Sequence, residues 1–302
     1  MDSPISLTII IPVFNCLELT QQCLISLESS LKGVIDYEVI IVDDGSSDGT
    51  REFLKTLTAA PYRILLNQDK GNFAINNNRA AAIARGDVLC LLNNDTELPS
   101  GWLQPMLDGL DRHPDAGLIG NVQKIPTTER YDHFGVVFPP WLTPIHYGQH
   151  LKQRPVLHGA YSRWAAVTAA CVLIKKEVFL SVGGFNESYV NGCEDMDLCI
   201  RLHQKGHWHY VAHESEILHH KGSSPSRKKH NNTNLEKLKV THRDYLTQQI
   251  VPRDCHLAAR SYLHACIAYP AKTNFPKLIN SIKTLCMPRP KIALKRPEGV
   301  KA

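Results

Sequence analysis

The stretch Gly86-Asp87-Val88-Leu89-Cys90-Leu91-Leu92-Asn93-Asn94-Asp95-Thr96 constrains the fold of this chain more than any other. A continuous apolar run bounded by polar residues reads as a strand buried on both faces of a parallel sheet. In open α/β sheets ligands bind just beyond the carboxyl ends of the strands. The polar tip therefore sits where a divalent cation and a diphosphate can meet. Two similar runs lie upstream. Ser6–Val13 ends at Pro12-Val13-Phe14-Asn15, and Tyr37–Val42 ends in Asp43-Asp44-Gly45-Ser46-Ser47-Asp48-Gly49-Thr50.

Between these runs the periodicity turns helical. Leu17, Leu24, Ile25 and Leu31 predict a helix over 17–32, and further helices are expected over about 50–58, 76–85 and 100–113. A short strand is expected at Tyr62–Leu66. Strands alternating with helices imply βαβ units and a parallel sheet. No G-x-G-x-x-G follows the first strand, so a dinucleotide fingerprint is absent. Later expected elements are a strand at 117–122, one at 165–174, a short helix at 176–182, a turn at Gly183-Gly184-Phe185 and a helix at 194–205. Extended pieces at 210–211 and 217–220 close this part. Residues 126–165, rich in Pro, Tyr, Trp, His and Gly, read as a variable loop region with short strands.

The C-terminal part differs in charge. Residues 226–302 carry 16 Lys and Arg against 4 Asp and Glu, a net of +12; the whole chain is +5, which leaves −7 for residues 1–225. Two parts are expected, a body over 1–225 and a basic helical extension over 226–302 with helices to about 249, at 256–268 and at 276–286. Leu278, Ile279 and Ile282 beside Lys277 and Lys283 suit an anionic membrane surface. Packing on the body or on a second subunit is the competing expectation, and an oligomer stays open. Nucleic acid is not an expected partner, because the basic residues are not interleaved with aromatics on an evident platform. No apolar run is long enough to cross a bilayer. Met1-Asp2-Ser3-Pro4 lacks the basic start of a signal peptide. Nine scattered cysteines without a CxxC pair suggest reduced thiols. The expected location is the cytoplasm, with peripheral attachment to the cytoplasmic membrane face as an option.

Several polar groups carry the candidate chemistry. Asp43 and Asp44 can accept hydrogen bonds from a base or from ribose hydroxyls, and the residues after them can also cap a helix. Asp95 suits Mg2+ or Mn2+, which take oxygen ligands and substrate phosphates; Asn93 and Asn94 flank it. Glu194, Asp195 and Asp197 stand at a helix start, where acids cap or where one serves as general base. Arg201 can pair with an acid or face a phosphate. His219 or His220 can ligate a metal, whereas His207-Trp208-His209 is expected to pack or face solvent.

In order and spacing these motifs resemble family-2 glycosyltransferases of the GT-A fold over residues 6–224. Thr8–Asn15 looks like the opening nucleotide-binding strand, Val42–Thr50 like the base- and ribose-binding loop, and Asn78 with Ala84-Arg85-Gly86-Asp87 like the helix leading to the metal strand. Leu92–Thr96 stands in the place of the DxD motif. Gly183–Glu187 and Glu194–Arg201 resemble the acceptor-side turn and the catalytic ED motif, and His219-His220 the closing metal histidine. The Asn-Asn-Asp-Thr and ED-x-D-L-C-x-R forms look most like the rhamnosyltransferase-like branch, which builds bacterial surface polysaccharides. Asn93 replaces the first DxD aspartate, and Phe14 stands where many members carry tyrosine.

The resemblance implies an α/β GT-A fold, Rossmann-like and mainly parallel, and inverting transfer of a hexosyl or deoxyhexosyl unit from a nucleotide-diphosphate sugar to a glycan or lipid-linked glycan. It implies Asp195 as base beside Glu194. Pro12, Phe14, Asn15, Asp43, Asp44, Gly45, Asn78, Asn93 and Asn94 are implied on the donor. Asp95 and His219 are implied on a divalent metal, Mn2+ or Mg2+. Two other readings remain. A degenerate transferase that only holds nucleotide or glycan takes support from Asn93. A nucleotidyltransferase is expected to carry a glycine-rich basic loop where Phe14-Asn15-Cys16 stands.

Overall fold

A computed structural model of the chain describes residues 6–33, 36–128, 130–149, 151–221 and 227–288; of 227–229 it describes the backbone alone. Met1-Asp2-Ser3-Pro4, the Gly222-Ser223-Ser224 run and the expected boundary at 225/226 lie outside the described residues. In chain order the elements are β1 (Leu7–Val13), α1 (Leu17–Leu31), β2 (Tyr37–Asp43), α2 (Thr50–Lys55), β3 (Tyr62–Leu66), α3 (Phe73–Ile83), β4 (Val88–Leu92), β5 (Thr96–Glu97) and α4 (Gln104–Arg112). Then come β6 (Ala116–Ile125), β7 (Arg130–His133), β8 (Val136–Val137), β9 (Ile145–His146), β10 (Tyr161–Trp164), β11 (Cys171–Lys175), α5 (Lys176–Ser181), α6 (Glu194–Gln204) and β12 (Trp208–His219). The C-terminal part folds as α7 (Arg227–Tyr245), a π-helical turn at Leu246–Ile250, α8 (Val251–Ala268) and α9 (Phe275–Cys286).

The main sheet runs β10-β12-β6-β11-β4-β1-β2-β3, with β5 on β12 and β7 on β6. Strands β4, β1, β2 and β3 are mutually parallel, as the apolar runs predict. The other half is mixed: β11 is antiparallel to both β4 and β6, while β12 and β6 run parallel. A buried strand is equally apolar in either direction, so its polarity is not written in its residues.

Alternate side chains of the central strands feed two cores. Ile9, Ile11, Val39, Ile41, Cys90 and Leu92 meet Leu24 and Leu27 of α1 and Met106 and Leu110 of α4. Ile10, Ile40, Val42, Leu89 and Leu91 pack in the opposite core with Ala80, Leu198 and Ile200. That second core also takes Leu238, Leu246, Ile250 and Ala258, so α7 and the first half of α8 are part of the body's packing.

Some expected boundaries move. The helix expected over 76–85 begins at Phe73, because the Asn72 side chain caps it by accepting the Ile75 N–H at 2.9 Å. The helix expected over 100–113 starts at Gln104, with Pro105 in its first turn, and the one over 50–58 stops at Lys55. Of the strand expected over 165–174 only the second half forms, within β11, while 165–170 is a connection with one isolated bridge at Ala166. β10 lies on β12 at one edge, and the chain must cross through 165–170 to reach the slot between β6 and β4. The two extended pieces near the end are one strand, β12, with a register shift between Ala212 and Glu216. All nine cysteines are free thiols. Among the described residues no helix is long and apolar enough to cross a membrane.

Candidate functional site

The carboxyl ends of β1, β2 and β4 open into one cavity, part of it continuous with solvent. Pro12 and Phe14 leave β1, Asp44 leaves β2, and Asn93, Asn94 and Asp95 leave β4, all lining it. The facing wall comes from Thr168, Ala169 and Ala170 ahead of β11, and from Asn191, Glu194 and Asp195 at the start of α6. Three carboxylates distant in sequence, Asp44, Asp95 and Asp195, therefore share one pocket.

Asp44 is 6% exposed and held from two sides. Its Oδ1 accepts the Gly71 N–H at 2.6 Å and the Asn67 amide at 3.1 Å. A Cβ on Gly71 would stand 3.1 Å from that same oxygen and 2.8 Å from Asn76 Oδ1, so the close approach needs glycine. The loops after β1 and β2 brace each other. Asn15 donates its backbone N–H to Ser46 Oγ at 2.7 Å, and Asn15 Oδ1 accepts the Ser47 N–H at 2.8 Å.

Asp95 stands beside His219, Oδ1 to Nε2 3.3 Å. His219 Nδ1 faces Gln123 Oε1 at 3.1 Å, and the Gln123 amide is oriented by donating to Asn121 Oδ1 at 3.2 Å. A carbonyl oxygen opposite Nδ1 requires that nitrogen to carry the proton, which turns the Nε2 lone pair toward Asp95. A lone pair facing a carboxylate oxygen at this distance needs a proton or a cation between them. Two ligands at right angles on an ion with bonds of about 2.1 Å lie about 3 Å apart. The pair thus fits a divalent metal. Among the described residues no group of three or more His, Cys, Asp and Glu forms a cage, so the pair is open to further ligands. His220 is directed elsewhere, onto Glu97.

Behind this pair lies a buried polar group from the segment expected to be variable loop. Asp132, fully buried, accepts from Lys221 Nζ at 2.9 and 3.1 Å and from Gln149 at 3.2 Å. Burial alone would raise its carboxyl; His146 and Lys221 outweigh that and hold it well below the usual range.

At the other wall the Asp195 carboxylate accepts N–H groups from Met196 (2.9 Å) and Ala169 (3.4 Å), which aims it at the 168–170 turn ahead of β11. Glu194 accepts the Gly192 N–H. The approach to α6 is strained: Asn191 and Cys193 have φ of 51° and 69°, and Gly183 and Gly184 are also left-handed. Side chains from two other helices pin it. Asn78 of α3 donates to the Phe185 carbonyl and accepts its N–H, both at 2.9 Å. A Cβ on Gly184 would stand 2.4 Å from Asn78 Oδ1. Asn234 of α7 donates to Val190 O at 2.9 Å and accepts the Val190 N–H at 3.4 Å. Deeper in α6, Asp197 pairs with Arg201 Nε at 2.7 Å and with His242 of α7 at 2.8 Å.

Several expected donor residues do not line the cavity. Asn78 is a brace between α3 and the Gly184 turn, because its amide is used up on the Phe185 peptide. Asn15 is spent on the Ser46–Ser47 loop. Asp43 is fully buried; it accepts the Ser46 N–H at 3.1 Å and sits 3.4 Å from Arg51. Gly45 supplies the turn, with φ of 85°, and no side chain. Arg201 faces Asp197 and the Val182 and Gly184 carbonyls. His209 is fully buried. Lys70, Phe73, Asn76 and Asn191 line the cavity without having been singled out in the sequence. Lys70 places Nζ 4.1 Å from the Phe14 ring centroid. The loop around Lys70 follows β3, a strand with no polar tip to mark it.

Similarity to known proteins bears on the family and the fold. The model of the family described as "Glycosyl transferase family 2" matches residues 8–179, more than half of the chain. An O-antigen biosynthesis protein of Myxococcus xanthus, RfbC, is 31% identical over 200 residues, 62% of this chain; the chain spans 15% of that protein's length. The N-acetylglucosaminyl-diphospho-decaprenol L-rhamnosyltransferase of Mycobacterium tuberculosis is 27% identical over 219 residues, 63% of this chain and 68% of that one. Among solved structures, GalNAc-T7 with UDP, GalNAc and Mn2+ aligns with a TM-score of 0.63 at 14% identity, over 80% of this chain and 48% of that chain. The mannosyltransferase PcManGT of Pyrobaculum calidifontis, with GDP-Man and Mn2+, aligns with a TM-score of 0.57 at 14% identity, over 93% of this chain and 79% of that chain.

Proposed function

The chain belongs to glycosyl transferase family 2 and has the GT-A fold, and from that premise we propose that it is an inverting transferase. It moves a sugar from a nucleoside-diphosphate donor to a hydroxyl of a glycan or lipid-linked glycan in bacterial surface polysaccharide synthesis. The observation that carries this reading is the convergence of Asp44, Asp95 and Asp195 on one cavity. Asp44, fixed by Gly71 and Asn67, receives the ribose or base. Asp195 accepts the proton of the acceptor hydroxyl as that oxygen attacks the anomeric carbon and the bond to the diphosphate breaks on the opposite face. General-base help of this kind is worth about 10²–10⁴ in rate.

Asp95 and His219 would hold a divalent cation, which when bound would supply positive charge to the diphosphate. An imidazole ligand suits a transition ion better than Mg2+, which favours Mn2+. The activities of the relatives, rhamnosyl transfer to a decaprenol-linked acceptor and O-antigen synthesis, support the acceptor class.

A hydrolysis screen tests the reading. Nucleotide sugars are offered one at a time with Mn2+, Mg2+ or a chelator, and free nucleoside diphosphate is measured. Slow release from one donor class with Mn2+, abolished by the chelator, is expected. Silence with every donor, together with no donor binding by calorimetry, would overturn it.

A further inference from the structure

The basic extension does two different jobs. Helix α7 and the start of α8 bury Leu238, Leu246, Ile250 and Ala258 in the body. Among the described residues helix α9 packs mainly on its hairpin partner α8. It turns Leu278, Ser281 and Leu285 inward and leaves Phe275, Ile279 and Ile282 outward, 69%, 51% and 48% exposed. Spacings of four and three residues put those three on one stripe, and Cys286 continues it. Leu278, grouped by sequence with the outward residues, is on the inner side. Exposed Ile267 at the end of α8 and Met287 just past α9 add apolar surface at the two ends of the hairpin.

We propose that this face of the α8–α9 hairpin docks on an anionic lipid bilayer. Charge selects the occupant. From Cys255 to the C-terminus the chain has nine Lys and Arg and one acid, Glu298. Lys283 is exposed next to the stripe, and Lys272 and Arg260 are exposed on the same hairpin. Lys277 lies over the Trp141 ring, 5.4 Å from its centroid. An apolar stripe flanked by cations, on a hairpin with no Asp or Glu over the described residues 255–288, fits the headgroup boundary of a negatively charged membrane. A second copy of the chain fits poorly: a two-fold contact would set this basic face against itself. The hairpin is also fixed relative to the body. Asp254 of α8, buried, accepts the Phe138 N–H at 3.0 Å, and Tyr262 packs edge-on against Trp141 at 5.3 Å. Both partners belong to the 126–165 segment, so a docked hairpin would bring that segment to the membrane.

Flotation of the full chain tests the surface. Vesicles of phosphatidylcholine with about one third phosphatidylglycerol are compared with pure phosphatidylcholine. The chain is expected to float with the anionic vesicles only, and to be released by high salt. The variant Phe275→Ser/Ile279→Ser/Ile282→Ser should lose flotation with an unchanged melting curve, since all three side chains are exposed. The variant Lys272→Gln/Lys283→Gln should bind the anionic vesicles about 30-fold more weakly. Equal flotation on both vesicle types, flotation on neither, or flotation by the serine variant as strong as the parent's would overturn the proposal. So would sedimentation of the parent as a dimer that the serine variant dissolves, which would assign the face to a second copy. Docking needs no turnover, so it stands or falls apart from the transfer reaction.

Discussion

The two walls of the cavity are braced in different ways. The donor wall rests on neighbours: Phe14, Asp44 and Asp95 each follow a parallel strand by one to three residues, and the loops after β1 and β2 bond to each other. The acid-bearing wall rests on distant helpers. The turn before α6 passes through left-handed residues and is held by Asn78 from α3, Asn234 from α7 and the Asp197–His242 pair. A strand end carries its own rigidity, whereas a strained loop borrows it. Damage at the first wall should therefore stay local. Damage at the second should spread from side chains, Asn78 and Asn234, that do not line the cavity.

The sharpest way to break the comparison is at Asp195 itself. Asp195→Asn keeps one of the two N–H acceptors, the one for Met196, and removes the base. Turnover should fall about 10²–10⁴-fold with donor affinity unchanged, read from initial rates alongside calorimetric titration of the donor. A loss of donor affinity equal to the loss of rate would mean that the two walls are not separable.

Next in size is Asp197→Asn, which leaves Arg201 and His242 without their buried carboxylate. Removing one member of a buried ion pair costs about 3–5 kcal/mol, measurable by urea unfolding. The effect has a definite pH sign. Burial pushes the Asp197 carboxyl up, but the His242 hydrogen bond and Arg201 pull it below its ordinary value. A lowered native value means that the stabilisation is present above the unfolded pKa of about 4 and fades as pH falls through the lowered one. The gap between parent and variant should be flat above about pH 5 and close below about pH 4. Because α7 reaches α6 through this pair, donor-free unfolding should show the loss as clearly as activity does.

The same contrast explains what the sequence made legible. The parallel half of the sheet and the places of Asp44 and Asp95 could be read directly, because a buried strand is a continuous apolar word and its polar tip is adjacent to it; Asp195, at a helix start where acids also cap, was singled out by the resemblance. The braces could not. Nothing in Asn78 distinguishes an amide that meets a donor from one that closes on the Phe185 peptide. Asn234 lies in a segment whose basic composition pointed toward surfaces, although Leu238 and Leu246 bury it. Gln123 gained its meaning only when β6 and β12 paired and brought it to His219. The mixed half of the sheet was hidden for a similar reason, since β11 has the same apolar pattern in either direction.

Asn234→Ala probes a smaller borrowed support. It removes both hydrogen bonds to the Val190 peptide and leaves that peptide group underpaired, a cost of about 1–3 kcal/mol. Asn191 and Glu194 would then sit on a looser loop. A misplacement of that kind should lower turnover about 10–100-fold while the nucleoside-diphosphate affinity holds. Unchanged turnover would mean that the loop is rigid without α7, and the contrast between the walls would weaken.

The smallest effect is expected at the one point where the donor wall departs from its own rule. Lys70 comes from the loop after β3 and reaches the cavity by lying over Phe14, with no strand register to place it. Its ammonium adds positive charge beside a pocket that already holds Asp44 and Asp95, and the aromatic face keeps it there. An exposed cation–π contact is worth about 0.5–1 kcal/mol, so Lys70→Met, which keeps the stem, should raise the Kd for a nucleoside diphosphate about two- to fivefold. Turnover at saturating donor should not change, because the ammonium lies over Phe14, a donor-side residue, and carries no part of the proton transfer. The difference in Kd should shrink as salt is added, since charge is the part that was removed. A shift that persists at high salt would mean that Lys70 holds Phe14 in place by packing, and the donor wall would then also depend on a borrowed brace.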